Sequence, residues 1–273
     1  MGVVNVTPDS FSDGGRWFDT DAAVARGLQL LAEGADLLDV GGESTRPGAP
    51  RVPEDEELRR VLPVVTELAD AGAVVSVDTM RASVAEQALE AGARLVNDVS
   101  GGLADPVMAR LVAASGAPYV VMHWRGHSAT MDDLAVYDDV VADVRRELLR
   151  RVDGLLDEGV DERQLVLDPG LGFAKTGEHN WALLAHLDAL TGTGLPVLVA
   201  ASRKRFLGHL LAGPGREPVP PLERDDASAA VTALAAAAGV WCVRVHEALA
   251  SFSAVRVAAA WSAAAAARPG ATR

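Results

Sequence analysis

The sequence is poor in cysteine, in lysine and in long apolar runs. Its 273 residues include one cysteine, so no disulfide can form within the chain, as is typical of proteins from the reducing cytoplasm. No secretory signal follows Met1. The alanine-rich tail alone approaches the roughly 18 apolar residues of a membrane span, and we expect its weak hydrophobicity and Arg256 to prevent insertion. We therefore predict a cytoplasmic protein without a membrane partner.

Charge limits what the protein can bind. The net charge is −13 and the sequence pI is about 4.9, which argues against nucleic acid or an anionic membrane as a partner. An anionic substrate must therefore be held by a local cluster of basic residues. Among 25 basic residues only Lys175 and Lys204 are lysines. Because arginine cannot always replace lysine, a retained lysine indicates a need for an ammonium group, although chance explains Lys175 equally well.

Eight short runs of β-branched residues alternate with longer segments of helical period. They predict strands over residues 2–6, 36–40, 74–77, 94–98, 119–122, 165–168, 197–200 and 241–245. Eight such units predict one closed (β/α)8 barrel, which takes about 250 residues, with an open doubly wound sheet as the alternative. We expect the barrel to span residues 1–267 and a disordered tail to follow at 268–273.

In such a barrel, the chemistry lies at the carboxyl ends of the strands and in the loops that follow them. The polar residues of this sequence fall at those places. The predicted strand ends carry Asn5, Asp78, Asn97, His123, Asp168, Ser202, Arg244 and His246. This grouping predicts one polar site on one rim of the barrel.

The first of these loops is too long and too polar for a minimal connection between strand and helix, which takes about 2–6 residues. Gly14 and Gly15 indicate a hinge that lets the loop close over a substrate. Asn5 can ligate a divalent cation or a phosphate oxygen through its amide, and a helix-capping turn is the alternative. The run NVTPDSFSDGG, which begins at Asn5, resembles the signature of the dihydropteroate synthases.

The second loop, GGESTRPG over residues 41–48, is similar to the second substrate loop of that family. Arg46 can grip phosphate oxygens with its forked guanidinium group. Pro47 offers an apolar face to a flat ring. A solvated arginine in an ordinary loop is the alternative interpretation.

Three further motifs, VDT, VNDVSGG and DPGLGF, match motifs of the same family. A pterin edge alternates hydrogen-bond donors and acceptors, which suits carboxylates and an amide. The resemblance implies a pterin pocket formed by Asp78, Asn97, Met122, Asp168 and Phe173. We expect the neighbouring Asp98 to hold its own loop together.

The last two strands end in cationic runs. SRKRFLG opens a helix, and a helix N-terminus beside cations is a ready anion site, which includes Ser202. Lys204 matches a family lysine that reaches both the pterin and the aminobenzoate. Arg205 stands where many relatives carry a small hydroxyl residue, so we expect it to hold the aminobenzoate carboxylate together with backbone N–H groups.

Alternation puts Arg244 and His246 on one face of the eighth strand, so both side chains should point into the same site. His123 is given no catalytic role.

The resemblance covers nearly the whole chain, residues 2–261. It implies a transferase of folate biosynthesis that condenses 6-hydroxymethyl-7,8-dihydropterin diphosphate with 4-aminobenzoate, giving 7,8-dihydropteroate and diphosphate. The charge of the leaving diphosphate would be offset by Mg2+, Asn5, Arg46, Arg244 and His246. The amine would be positioned by Thr45, Pro47, Phe173 and Lys204. The resemblance further implies a homodimer formed through the later helices, and sulfonamides as ligands that compete with aminobenzoate.

Two other functions stay open from the sequence. A pterin-binding methyltransferase domain would share the polar pocket but lack the first-loop signature and the SRK run. A non-catalytic paralogue would have lost loop residues. Diphosphate release that depends on both substrates separates these possibilities. We also expect the strand that begins at Met1 to be short and to leave neighbouring ladder groups unpaired.

Overall fold

The computed structural model describes residues 1–7, 20–44, 51–127 and 131–267. Most of the first substrate loop, residues 45–50 of the second loop and the tail 268–273 lie outside these ranges. The expectations for Thr45, Arg46 and Pro47, for the glycine hinge and for the tail therefore concern residues outside the described part of the chain.

All eight predicted strands are present, within about two residues of their predicted limits. They are β1 (Gly2–Asn5), β2 (Leu38–Gly41), β3 (Val75–Asp78), β4 (Leu95–Asp98), β5 (Tyr119–Met122), β6 (Leu165–Asp168), β7 (Leu198–Val199) and β8 (Cys242–Val243). β2 and β4 to β7 are buried along their whole length, because each strand of a barrel packs on both faces.

The strands close into a ring. β1 to β6 pair in order as parallel neighbours, and β7 pairs with β8. Single parallel bridges, Leu167 with Val197 and Gly2 with Val245, join these two groups on either side. The predicted (β/α)8 barrel is therefore confirmed, and the carboxyl ends of all eight strands lie on one rim.

The start of β1 differs from the expectation. The ammonium group of Met1 donates to the Val243 carbonyl oxygen at 2.9 Å, and Val3 and Val245 each donate a backbone hydrogen bond across the β1–β8 seam. The Met1 side chain is buried inside the barrel with Leu95, Val120, Val166, Leu198 and Ala200. The prediction of unpaired ladder groups at this seam was therefore wrong.

Helices connect the strands around the outside. They are α1 (Thr20–Ala32), α2 (Glu54–Asp70), α3 (Ala82–Glu90), α4 (Met108–Ser115), α5 (Val140–Asp157), α6 (Gly177–Ala185), α7 (Asp188–Thr191), α8 (Arg205–Ala212), α9 (Asp225–Ala237) and α10 (Ala248–Ala266). Two helices, α8 and α9, follow β7, and α6 and α7 follow β6. α6 begins at a capping box, in which the Thr176 side chain accepts from the His179 N–H and the His179 ring accepts from the Thr176 N–H.

The last helix carries the alanine-rich segment. α10 has 19 residues with Arg256 as its one charge, and by length and composition alone it could cross a membrane. The expectation that this segment is too weakly apolar therefore fails on that criterion. α10 packs along α9, yet only 17% of its most apolar stretch of 18 residues is buried. Val257 and Trp261 are exposed, so the helix presents an apolar outer face.

Candidate active site

Polar side chains of three strands, β2, β3 and β4, meet around one arginine at the carboxyl rim. Arg244, directly after β8, donates from Nε to Asp39 Oδ2 at 2.6 Å and from Nη2 to Asp78 Oδ2 at 2.8 Å. Asn97 on β4 donates from Nδ2 to the same oxygen of Asp39 at 2.9 Å. Three of the predicted site residues, Asp78, Asn97 and Arg244, are thus held in one buried network.

Asp39 is the member of this network that sequence analysis missed. It lies inside β2 between Leu38 and Val40 and is fully buried. Its Oδ2 accepts both hydrogen bonds, whereas its Oδ1 has no partner among the described residues. The signal was an aspartate in an apolar strand, because a buried carboxylate needs a cationic or hydrogen-bonding partner.

Burial and charge act against each other in this network. The pKa of Asp78 is raised to about 7, because burial and the nearby Asp39 carboxylate raise it by more than the positive charge of Arg244 lowers it. For Arg244, burial lowers the pKa, but the carboxylates of Asp39 and Asp78 raise it well above its ordinary value. The guanidinium group therefore stays charged and supplies a fixed positive charge at the bottom of the rim.

A second polar pair stands beside this network. Asp168, at the end of β6, accepts from the Gly170 N–H at 2.7 Å and is buried. Lys204 donates from Nζ to the Leu171 carbonyl oxygen, and its Nζ lies 4.8 Å from the centroid of the Phe173 ring. Lys204 therefore contacts the loop that follows Asp168 and also the aromatic ring that the sequence places at the ring site.

The charges of this pair are also shifted by burial. Burial lowers the pKa of Lys204 to about 8, with Asp168 raising it and Arg244 lowering it. Burial raises the pKa of Asp168, and the positive charge of Lys204 is the largest effect that lowers it. A lysine with a pKa near neutrality loses its charge as the pH rises through about 8, which makes the local charge sensitive to pH.

Ser202 and His246 meet on the next part of the rim. The backbone N–H of His246 donates to Ser202 Oγ at 3.1 Å, and Nδ1 of its ring lies 3.1 Å from the same oxygen. Arg26 on α1 donates to the His246 carbonyl oxygen at 2.7 Å. Ser202 thus orients the histidine.

The three cationic residues after β7 differ in their contacts. Arg203 forks onto both oxygens of Asp225, at 2.7 and 2.8 Å, so this cation holds α9 and does not join an anion site. Arg205 is the first residue of α8, and its side chain is exposed. Of the three cations that the sequence placed here, Lys204 and Arg205 therefore stay available to a substrate anion.

The remaining predicted residues fall as follows. Met122 is buried at the end of β5, in register with Asp168. Asn5 ends β1, and none of the hydrogen bonds among the described residues uses its amide. Asp98 accepts hydrogen bonds from the backbone N–H and hydroxyl of Ser100, from the Gly102 N–H and from the Tyr119 hydroxyl, so its predicted structural role is confirmed.

A small, partly open cleft lies beside Phe173. Its other walls come from the loops after β2, β3 and β5, namely Glu43, Ser44, Arg51, Met80, Trp124, Gly126 and His127. Glu43 and Ser44 belong to the second loop, which sequence analysis assigned to substrate without giving either residue a role. The other five residues were not predicted, because their loops carry no polar pattern that indicates a ligand.

Comparison with known proteins decides the family. A family model described as pterin binding enzyme matches residues 1–246. The dihydropteroate synthase of Mycobacterium leprae (strain TN) is 58% identical over 262 residues, which cover 96% of this chain and 92% of that protein. The chain belongs to the dihydropteroate synthase family.

Solved dihydropteroate synthases share the fold. The enzyme from Xanthomonas albilineans with 4-aminobenzoic acid superposes with a TM-score of 0.88 at 47% identity, over 98% of this chain and 93% of that one. The enzyme from Yersinia pestis with a sulfonamide drug complex gives 0.89 at 40% identity, over 96% and 93%. The chain is therefore a transferase of folate biosynthesis, and the predicted family, fold and enzymatic activity are confirmed.

Proposed function

We propose that the residues of this rim divide between them the condensation of 6-hydroxymethyl-7,8-dihydropterin diphosphate with 4-aminobenzoate. The observation that carries the proposal is the buried network of Arg244 with Asp39, Asp78 and Asn97, next to Asp168 and Lys204. Buried carboxylates and an amide at one point are costly unless a polar ligand or a cation faces them. A pterin edge, with its alternating donors and acceptors, is such a ligand.

The pterin ring binds at the inner part of the rim. Asp168 and Asp78 accept from its N–H groups, Asn97 donates and accepts, and Met122 packs against the ring face. Lys204 lies at the outer edge of this pocket and so touches the second substrate as well.

The diphosphate binds where positive charge is concentrated. Arg244 uses Nε and Nη2 on carboxylates, and its Nη1 is engaged by neither of them. This nitrogen, the ring of His246 and the guanidinium group of Arg46 offset the negative charge that develops as the diphosphate leaves.

Mg2+ fits the rim as an ion that arrives with the substrate. The described residues include no group of three or more His, Cys, Asp or Glu side chains that could hold a metal. The Asn5 amide suits Mg2+, which keeps several waters and is bound mostly through substrate phosphates. When bound, the ion neutralises charge on the diphosphate.

The bond changes need no protein nucleophile. The aniline nitrogen bonds to the pterin methylene carbon while the carbon–oxygen bond breaks, and the electron pair leaves with the diphosphate. The nitrogen then gives up one proton. Because the pterin ring stabilises its own electron-poor methylene, the protein's part is to position the amine and to stabilise the leaving group.

The 4-aminobenzoate binds in the outer pocket. Its ring packs against Phe173 and Pro47, Thr45 and Lys204 position its amine, and Arg205 with Ser202 and the backbone at the start of α8 holds its carboxylate. Sulfonamides, which have the same shape and an anionic end, compete for this pocket.

Replacing Asp168 with asparagine tests the pterin assignment. One acceptor oxygen becomes an NH2 group that faces the pterin donors, so a charge-assisted hydrogen bond worth about 1.5–3 kcal/mol is lost and pterin binding weakens by roughly 10- to 150-fold. Calorimetric titration with the pterin diphosphate measures this. Asp105→Asn is the matched control, because Asp105 caps α3 and its own loop, and it should bind normally. Unchanged binding in Asp168→Asn would remove Asp168 from the pocket.

The outer face of α9 and α10 forms a homodimer interface in the cytoplasm. Large apolar side chains stand exposed on these two helices, namely Leu234, Leu249, Phe252, Val257 and Trp261. Such a patch marks a surface that another molecule covers, and a two-fold dimer is the commonest arrangement among soluble oligomers.

Replacing Trp261 with aspartate should break this dimer, because a charge would be buried without a partner. Sedimentation velocity should give a dimer for the wild type and a monomer for the variant. Val136→Asp is the control, since Val136 is equally exposed, at 76%, but lies on the loop after β5. A monomeric wild-type protein, or a dimer that survives Trp261→Asp, would contradict the assignment.

A further inference from the structure

Lys175 is buried next to the pterin pocket, and the reaction as assigned above makes no use of it. The residue is only 8% exposed. From the loop between β6 and α6 its Nζ donates to the Phe173 carbonyl oxygen at 3.0 Å and lies 2.9 Å from Nδ1 of His123. An ammonium group costs free energy to bury, so two directed partners on separate elements indicate a purpose for this lysine.

The position of His123 brings this ammonium group close to Asp168. β5 and β6 pair in register at Met122 and Asp168, and the His123 N–H donates to the Asp168 backbone oxygen at 2.9 Å. The loop after β6 is pressed onto this point, because Gly170 has φ +66° and a Cβ there would clash with the His123 carbonyl oxygen. Lys175 therefore reaches back across its own loop to the strand end that carries Asp168.

A chain of polar groups behind Lys175 sets its direction. His123 Nε2 lies 2.9 Å from Glu147 Oε2, and Arg125 donates from Nη2 to Glu147 Oε1 at 2.6 Å. Burial lowers the pKa of His123 to about 4, so the ring is neutral near pH 7. A neutral ring that donates from Nε2 to Glu147 leaves Nδ1 as an acceptor, and Lys175 is its donor.

Lys175 and Asp168 affect each other's charge. Burial raises the pKa of Asp168, and Lys204, Arg244 and Lys175 each lower it. Burial lowers the pKa of Lys175 to about 7, and Asp168 is the largest effect that raises it. The other titratable groups that act on or respond to Lys175 are Lys204, Arg125, Glu147, His123 and His179.

We propose that Lys175 is a positioning residue of the pterin pocket, whose ammonium group, held by the His123 ring that Glu147 orients, helps to keep Asp168 ionised and fixes the Phe173 backbone. One buried cation then acts with Lys204 and Arg244 on the carboxylate that binds the pterin, and it also fixes the backbone of the aromatic residue that faces the second substrate. The inference rests on the assignment of Asp168 to the pterin, and it adds a residue that does not itself touch either substrate.

If the charge of Lys175 matters, the effect of removing it on pterin binding should depend on pH. Below the pKa of Lys175 the ammonium is present and favours ionised Asp168, so its removal weakens pterin binding most there. Above that pKa the wild-type lysine is itself neutral, and a neutral replacement costs little more than the lost hydrogen bonds. A purely structural role would give the same ratio of wild type to variant at every pH.

Lys175→Met, which has a similar length without the charge, is the test variant. KM for the pterin diphosphate should rise roughly tenfold at about pH 6, with a smaller change in kcat, and the ratio should fall to about twofold at about pH 9. The carbon-13 resonance of the Asp168 carboxyl group, assigned with Asp168→Asn, should titrate at higher pH in Lys175→Met than in the wild type. Lys175→Arg, which keeps the charge, should stay closer to the wild type in that titration.

Glu147→Gln supplies a second variant if Lys175→Met does not fold. It leaves Lys175 in place but removes the negative charge of Glu147, which raises the pKa of Lys175. In this variant, pterin affinity should therefore begin to change at a lower pH than in the wild type. An Asp168 titration that is identical in wild type and Lys175→Met, or a KM ratio independent of pH, would overturn the proposal. The carboxyl titration is measured without turnover, so it can fail or succeed independently of the proposed condensation.

Discussion

Replacing Lys204 with arginine should lower kcat/KM by about 100-fold or more, although the positive charge is kept. Lys204 lies in a space fitted to its thin stem: a Cβ on Gly172 would stand only 3.1 Å from its Cδ. Its Nζ donates to the Leu171 carbonyl oxygen above the Phe173 ring. A planar guanidinium group is too broad for this position and carries its charge further out.

The pH dependence separates charge from shape in this variant. Burial lowers the pKa of Lys204 to about 8, so wild-type activity should decline as the pH rises through that value and the ammonium is lost. The residual activity of Lys204→Arg should lack this alkaline decline, because arginine stays charged. Steady-state rates between about pH 6 and pH 10 measure both curves. Full activity in Lys204→Arg would show that the ammonium group has no special role.

Replacing Arg244 with methionine should damage both folding and catalysis. The carboxylates of Asp39 and Asp78 would lose their cation while buried, which costs about 3–5 kcal/mol of unfolding free energy. The diphosphate would lose a fixed positive charge, which lowers kcat/KM by about 100- to 1000-fold. Arg110→Met is the control, since the Arg110–Glu158 pair is exposed and its loss should change the unfolding free energy by at most about 1 kcal/mol.

A double variant separates the two effects of Arg244. Adding Asp39→Asn to Arg244→Met removes one unpaired charge and keeps an acceptor for Asn97, so stability should partly recover. Activity should stay low, because no positive charge returns to the diphosphate. Urea unfolding and steady-state kinetics on the same samples measure the two quantities. Recovery of activity together with stability would mean that Arg244 serves only the fold.

The sequence was most informative about the barrel and its rim. The strands were found because β-branched apolar runs recur at regular spacing, and short ladders such as β7 and β8 still fell inside the predicted runs. Asp78, Asn97 and Arg244 were found because a barrel collects its chemistry at strand ends. Asp39, which accepts from both Asn97 and Arg244, was not found, because a contact between strands depends on which side chains face inward at the same height of the barrel.

Three residues show where sequence reasoning stopped. Asp39 lies within β2, and the expectation that functional residues follow the strand ends does not include a residue inside a strand. Lys175 and His123 are 52 positions apart, and their contact exists only because the loop after β6 folds back over the end of β5. The rarity of lysine singled out Lys204, whose role stays a prediction, and the present inference gives Lys175 a role as well. From the sequence alone, chance explained Lys175 equally well.

The condensation itself is tested most directly by following both products in one reaction. The purified wild-type chain should release diphosphate only when the pterin diphosphate, 4-aminobenzoate and Mg2+ are all present, and it should form 7,8-dihydropteroate in an equal amount. A sulfonamide added at increasing concentration should lower both rates in parallel, and 4-aminobenzoate should restore them. Diphosphate release without 4-aminobenzoate, or tight pterin binding with no product, would contradict the account.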